Sequence, residues 1–297
     1  MSKNLMAKGL VICPLSGRSI TNTELIPIGE YTIAYINTSF LWTTVNLPEI
    51  SILENAYQDF DAGLLSRKNF DQYVSQAKSI LLREFNRAGI NESQLGDLRF
   101  FDYGCGGGHF VAAADSFGMQ AVGMEIDEEA AVAAKDRGLN VINGYLPHDM
   151  KKLERSSFHV IKLMHVLEHV PNPRLLIASL ISMLVPGGIL IISVPDQRSF
   201  PSKLKIFLRL LGIKKNEYGF VQPPIHLHGF SSSSIDVIAK ENSLELINLE
   251  NTSPLDNTAF PSTKEYWKKL KLQKIVYMIG RFIGSGGHIT AILRRPK

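Results

Sequence analysis

Between Arg99 and Val194 the chain alternates short, continuous apolar runs with stretches whose apolar residues recur every three or four positions. The runs Phe100–Gly104, Ala121–Ile126, Asn140–Asn143, Phe158–Met164 and Ile189–Val194 predict strands. The periodic stretches His109–Phe117, Glu128–Arg137 and Pro173–Leu184 predict helices, the first two stopped by Gly118 and Gly138. Pro186-Gly187-Gly188 predicts a turn before the fifth strand. Unbroken apolar strands separated by helices imply a mostly parallel sheet covered on both faces.

Outside that core the pattern changes. Tyr31–Trp42 is β-branched and aromatic and predicts one or two strands, whereas Ser66–Ala88 has a helix period through Phe70, Tyr73, Val74, Ala77, Leu81 and Phe85. After Pro195, lysine-rich helices are expected at Ser202–Leu211 and Ser262–Ile283, a helix at Ser233–Glu241, and strands at Leu244–Leu249 and His288–Arg295.

Composition narrows the picture. The 297 residues are 45% hydrophobic and 20% charged, an ordinary globular balance that suits one enlarged domain or one domain with an appendage. Cys13 and Cys105 are the only cysteines, which excludes a disulfide scaffold and a four-cysteine zinc site. No apolar run reaches the ~18 residues of a membrane span, and a reducing, cytoplasmic setting is expected. The net charge of +4 is unevenly spread: residues 1–199 carry 17 basic and 21 acidic residues, and residues 200–297 carry 15 and 7.

The sharpest chemistry is Asp102-Tyr103-Gly104-Cys105-Gly106-Gly107-Gly108, a glycine turn between a predicted strand and a predicted helix. Such a turn lets backbone approach a ligand closely, beyond the carboxyl ends of the strands where open α/β sheets bind ligands. Glu125 ends the next strand, where a carboxylate can receive a ribose diol. A dinucleotide and S-adenosylmethionine both fit that pattern at this point.

Further motifs in order distinguish them. Val122–Asp127, His165-Val-Leu-Glu168-His169-Val-Pro-Asn-Pro, Leu184-Val-Pro-Gly-Gly and His226-Leu-His228-Gly-Phe230-Ser join the glycine turn, and together the chain from about 70 to 297 resembles the class I S-adenosylmethionine-dependent methyltransferases. The resemblance is to their ubiquinone-pathway O-methyltransferase-like branch. It implies a Rossmann-like, mostly parallel seven-stranded sheet with helices on both faces, an antiparallel last strand, and a helical lid insertion at about 196–287 within a domain spanning 66–297. Residues 1–65 would form a small β-rich appendage, in which Cys13-Pro-Leu-Ser16-Gly17 resembles half of a zinc ribbon whose second cysteine is Ser16 and whose second pair, near Asn37–Ser39, is missing. By the same resemblance Asp102, Tyr103, Gly104, Cys105, Gly106, Gly108, Glu125, Ile126, Tyr145, Leu146 and Met164 bind the cofactor. Tyr145 stands where relatives often carry an aspartate for the adenine amine, so the Leu146 backbone or a neighbour would take that contact.

Methyl transfer to a hydroxyl needs a base, and histidine titrates in the right range. His165 is the first candidate, with His169 and His228 behind it. His165-x-x-Glu168-His169 also resembles a stretch that holds a divalent metal in the ubiquinone-pathway branch, with His165 in place of the first glutamate. Bracing of the loop is the alternative and the reading taken, so no metal ligand is assigned. The expected function is methyl transfer, at oxygen, to a small-molecule, sugar-linked or lipid-linked acceptor. A non-catalytic cofactor-binding protein is the alternative. No aromatic-basic module points to nucleic acid. The basic amphipathic segments 203–215 and 264–282 either touch a membrane surface or form a lid with solvated lysines. Neither the acceptor nor the oligomeric state is readable.

Overall fold

A computed structural model describes residues 8–49, 52, 70–153, 155–213, 216–253 and 271–297. Its strands are β1 (Lys8–Ile12), β2 (Ser19–Ile28), β3 (Tyr31–Ile36), β4 (Leu41–Thr44), β5 (Arg99–Tyr103), β6 (Gln120–Glu125), β7 (Val141–Asn143), β8 (Phe158–Met164), β9 (Leu184–Pro195), β10 (His228–Gly229), β11 (Glu245–Thr252) and β12 (His288–Arg294). Its helices are α1 (Phe70–Arg87), α2 (His109–Asp115), α3 (Glu128–Lys135), α4 (Pro173–Met183), α5 (Phe200–Leu210), α6 (Ser232–Glu241) and α7 (Lys271–Phe282).

Local signals explain the helix starts. The Asp127 carboxylate accepts the Ala130 N–H at 2.7 Å and opens α3. The Asn172 side chain accepts the Leu175 N–H at 3.1 Å, with Pro173 in the first turn where its missing N–H costs least. Among the described residues no helix is long and apolar enough to cross a membrane.

The main sheet runs β11-β12-β9-β8-β5-β6-β7. β9, β8, β5, β6 and β7 are mutually parallel, and β12 is antiparallel to both β9 and β11. The expected seven strands and antiparallel last strand are present. One local expectation fails: Pro186-Gly187-Gly188 lies inside β9 instead of forming a separate turn. Gly187, at φ +81°, donates its N–H to the Arg295 carbonyl at 2.9 Å, and β9 begins earlier because Leu184 pairs with Phe158 of β8.

The second sheet runs β1-β2-β3-β4-β10. β10 comes from the C-terminal third and pairs with β4, His228 opposite Thr43 and Gly229 opposite Trp42. Cys13, Ile36 and Leu41 share one apolar core with Leu163, Ile192 and Phe230. The N-terminal strands and the main sheet therefore bury their faces together. The Cys13 thiol, fully buried, lies 3.3 Å from the Ser39 hydroxyl, so the two turns singled out in the sequence do converge. Parts of the expected helices at 66–88 and 262–283, and the last two residues of the basic segment 203–215, lie outside the described residues.

Candidate active site

The glycine turn joins β5 to α2 at the carboxyl rim of the main sheet. Gly104, Gly106 and Gly108 have φ of +73°, +50° and +84°, a region that favours glycine. Main-chain bonds tie the turn to β6: the N–H groups of Gly104 and Cys105 donate to the Met124 carbonyl at 2.8 and 3.2 Å. Glu125 completes the tie. One of its oxygens accepts the Gly106 N–H at 2.7 Å and the other the Asp127 N–H at 3.0 Å. A Cβ at Gly104 would stand 2.4 Å from Val166 Cγ2, so the turn packs directly on the segment that follows β8.

The other expected cofactor residues surround this turn. The Tyr103 hydroxyl accepts the Leu146 N–H at 3.2 Å and fixes the loop after β7. Asn143 reaches the carbonyls of Glu125 and Ile126 at 3.0 and 3.1 Å, which holds the ends of β6 and β7 together. Ile126 and Tyr145 are exposed, and the Tyr145 ring stacks on His148 at 5.2 Å. Asp149 accepts the Tyr145 N–H at 3.1 Å. Lys152, that N–H and His148 hold the Asp149 carboxyl well below the usual range. Met164, at the end of β8, is half-buried. Cys105 is buried, which raises its thiol well above the usual range and leaves it unreactive.

Asp102 lies beneath the turn and is nearly fully buried. Burial raises its carboxyl to about 7, and the Lys162 ammonium opposes that rise. Lys162 is its neighbour across β5 and β8, and is itself wholly buried. Its Nζ donates to both Glu84 oxygens, at 2.7 and 2.8 Å, and sits 4.6 Å from the centre of the Phe110 ring. Sequence reasoning missed this pair; a lysine in an otherwise apolar central strand was its one visible signal.

Across the rim, histidines meet one carboxylate. His165 follows β8 directly in the left-handed conformation, φ +55°, strained for a residue with a Cβ. Its N–H donates to the Ser193 carbonyl at 2.9 Å, and its Nδ1 lies 3.2 Å from Glu168 Oε1. Burial is the largest influence and disfavours the Glu168 charge, but the hydrogen bond from His165 together with the electrostatic pull of His169, His165 and His226 outweighs it and holds the carboxyl at about 2. Glu168 Oε2 is buried with no hydrogen-bond partner. His169 and His226 meet edge to face, ring centres 4.7 Å apart. Their Nδ1 atoms lie 3.0 Å from the Ile225 carbonyl and 2.9 Å from the Phe220 carbonyl, which turns each Nε2 toward other uses. Burial lowers both imidazoles, His226 to about 4.

Two placements differ from the sequence reading. His228 is not presented to the rim. Its Nδ1 lies 2.9 Å from Thr43 Oγ1 and its Nε2 3.0 Å from the Val170 carbonyl, and burial lowers it to about 4. It is a neutral strut between the two sheets, so the catalytic expectation for it is corrected. His288, unforeseen, packs its ring 4.5 Å from that of His165. β12 is antiparallel, so its first residue falls at the same rim as the last residues of the parallel strands. The expected antiparallel direction was the signal that could have placed it.

A family model for a methyltransferase domain matches residues 73–249. A ubiquinone biosynthesis O-methyltransferase of Methylococcus capsulatus is 28% identical over 167 residues, which cover 53% of this chain and 68% of that protein. One of Caulobacter sp. is 30% identical over 119 residues, covering 38% of this chain and 46% of that one, less than half its length. Among solved structures, a Galdieria sulphuraria methyltransferase of the sarcosine dimethylglycine type superposes with a TM-score of 0.50 at 14% identity, covering 74% of this chain and 85% of that one. That likeness concerns the fold.

Proposed function

The chain belongs to the class I S-adenosylmethionine-dependent methyltransferases, and from that premise we propose that it methylates a hydroxyl oxygen of a small, sugar-linked or lipid-linked acceptor. The observation that carries the oxygen assignment is the His165–Glu168 pair at the end of β8, beside the glycine turn. A carboxylate at Nδ1 fixes the tautomer, makes Nε2 the basic nitrogen and stabilises the imidazolium once it forms.

The turn residues fit the cofactor. Left-handed glycines offer backbone without side chains, Glu125 offers a carboxylate at the end of β6, and exposed Ile126 and Tyr145 offer apolar surface beside it. In this reading Glu125 receives the ribose hydroxyls, Asp102 balances the ammonium, and Ile126 and Tyr145 flank the adenine. When bound, S-adenosylmethionine supplies a methyl group made electrophilic by its sulfonium. His165 Nε2 takes the acceptor's hydroxyl proton as the oxygen–methyl bond forms, and Glu168 steadies the resulting charge. The names of the ubiquinone-pathway relatives and the basic C-terminal third favour a lipid-linked acceptor in this assignment. The two buried free thiols, Cys13 and Cys105, suit a reducing cytoplasm.

The test uses methyl-labelled cofactor with lipid, glycan and polar small-molecule fractions to find the accepting class. With that acceptor, His165→Ala should lower turnover by about 100- to 10,000-fold while cofactor affinity, read by calorimetry, stays within twofold of wild type by this estimate. Unchanged turnover overturns the base assignment.

A second reading is favoured by Glu168 Oε2. Glu168, His169 and His226 each bring a ligand atom within 4.8 Å of the others. Both imidazoles are oriented through Nδ1 by backbone carbonyls, as metal-bound histidines commonly are. A divalent ion held there would lower the acceptor hydroxyl's pKa. Metal analysis of the purified protein, and turnover before and after chelation, test it; turnover indifferent to chelator removes this reading.

A further inference from the structure

α5 and α7 pack against each other beside the rim. The Phe200 N–H donates to Ser285 Oγ at 2.7 Å, and a Cβ on Gly280 would meet the Ser285 carbonyl at 2.6 Å and Pro201 at 3.4 Å. Pro201 and Ser202 of α5 and Gly280 of α7 are buried where the helices meet. Ile275, Met278 and Phe282 follow one another on α7 at spacings of three and four, and Phe207 and Leu210 do the same on α5. All five are exposed, Leu210 at 78% and Phe282 at 91%, and the stripe continues past α5 in exposed Ile213. Large apolar side chains repeated along an exposed helix face mark an interaction surface, whereas single scattered ones do not.

The charged residues on the two helices themselves are of one sign. Neither helix contains an acidic residue, and together they carry Lys203, Lys205, Arg209, Lys274 and Arg281. Lys203, Lys274 and Arg281 are exposed beside the stripe. Lys205 pairs with Glu217 at 3.1 Å. A bare apolar stripe with cations along it is the pattern of a helix lying in the headgroup region of an anionic bilayer, apolar side down and lysines at the phosphates.

We propose that α5 and α7 form a docking surface for an anionic lipid bilayer, which the chain uses to hold its active-site rim against the membrane. The connections are short on both sides. α5 begins at Phe200, just after Pro195 ends β9, and α7 ends at Phe282, shortly before His288 begins β12. A bilayer under these helices therefore lies close to His165 and His288, where a lipid-linked acceptor would not have to leave the membrane.

The experiment needs neither cofactor nor acceptor, so its outcome is separate from that of the methyl-transfer reading. The full chain is sedimented with vesicles of phosphatidylcholine alone and of equal parts phosphatidylcholine and phosphatidylglycerol. It should bind the mixed vesicles, release as salt rises, and lose at least about tenfold in partitioning with the double variant Leu210→Asp/Phe282→Asp. Because both side chains are exposed, the unfolding midpoint of that variant should match wild type. Three results overturn the proposal: no partitioning onto the mixed vesicles; a midpoint that falls, which would mean the stripe is covered by this chain's own residues; or a dimer in light scattering that the variant dissolves, which would mean a second copy covers it.

Discussion

At the glycine turn the Glu125 carboxylate is held by main-chain N–H groups, those of Gly106 and Asp127. On the far side of β5, Glu168 is held by imidazole, with His165 on one oxygen and His169 and His226 close by. Amides do not titrate, so the first carboxylate keeps its partners at any working pH. They also come from residues near it in the chain or paired with it by the sheet. The second carboxylate meets imidazoles from two segments, His165 and His169 beside it in the chain and His226 from a distant loop. One side of the rim is a fixed cradle; the other can exchange protons. The hydroxyl methylation proposed above uses both, a rigid seat for a cofactor and a group that takes a proton from the acceptor.

The contrast is broken most strongly from below. Lys162→Met leaves Glu84 buried and uncompensated, and should cost about 3–5 kcal/mol of stability. The double variant Lys162→Met/Glu84→Met should recover most of that. Denaturant unfolding of the three proteins checks it; a small cost for the single variant would mean the core hydrates Glu84.

The next effect falls on the cradle itself. Gly104→Ala forces a Cβ against Val166 in a backbone region hostile to side chains, and should cost about 2–4 kcal/mol with loss of cofactor binding. Adding Val166→Ala should return part of the stability by removing the clash, but not the part due to φ. Thermal unfolding and calorimetry read the two losses separately.

The smallest effect sharpens the comparison through pH. The Asp102 carboxyl stands at about 7 in the folded chain, so it takes a proton as pH falls through that value. If it balances the cofactor's ammonium, affinity is full above pH 7 and should weaken by about tenfold per unit below it. Calorimetric titration of S-adenosylhomocysteine across that window gives the slope, and a flat profile removes Asp102 from the ammonium site.

The sequence reading fared differently on the two sides, for the same reason. The glycine turn and Glu125 were legible because adjacent residues carry the pattern and neighbouring parallel strands bring the rest. So were the strands β5, β6, β8 and β12, whose apolar runs are continuous. β1 and β2 were expected only as unplaced parts of a β-rich appendage, and β10 was not foreseen. β10 is two residues long, and only its pairing with β4 makes it a strand. His226, His288 and Glu84 join the site or its support through long-range contacts that no local spacing records. His228 looked like its neighbours in sequence, and only the contacts to Thr43 and Val170 separate a strut from a base. The PGG segment was read as a turn because its partner, the chain's last residues, lay more than a hundred positions away.

The seam at β10 also sets an order of assembly. The first four strands are complete by residue 44, yet β4 finds its outer partner at residues 228 and 229. Until that stretch has been made, the edge of β4 offers unpaired N–H and C=O groups, an invitation to wrong partners. Such distant contacts are slow to close because the intervening chain must be ordered first. A ribosome-bound chain would therefore carry its N-terminal sheet with one side open until residue 229 is made. The main sheet is in a similar position, since β12, which lies between β9 and β11, follows both of them in the chain. Both sheets wait for the final third of the chain, so a truncation there exposes two unfinished edges at once.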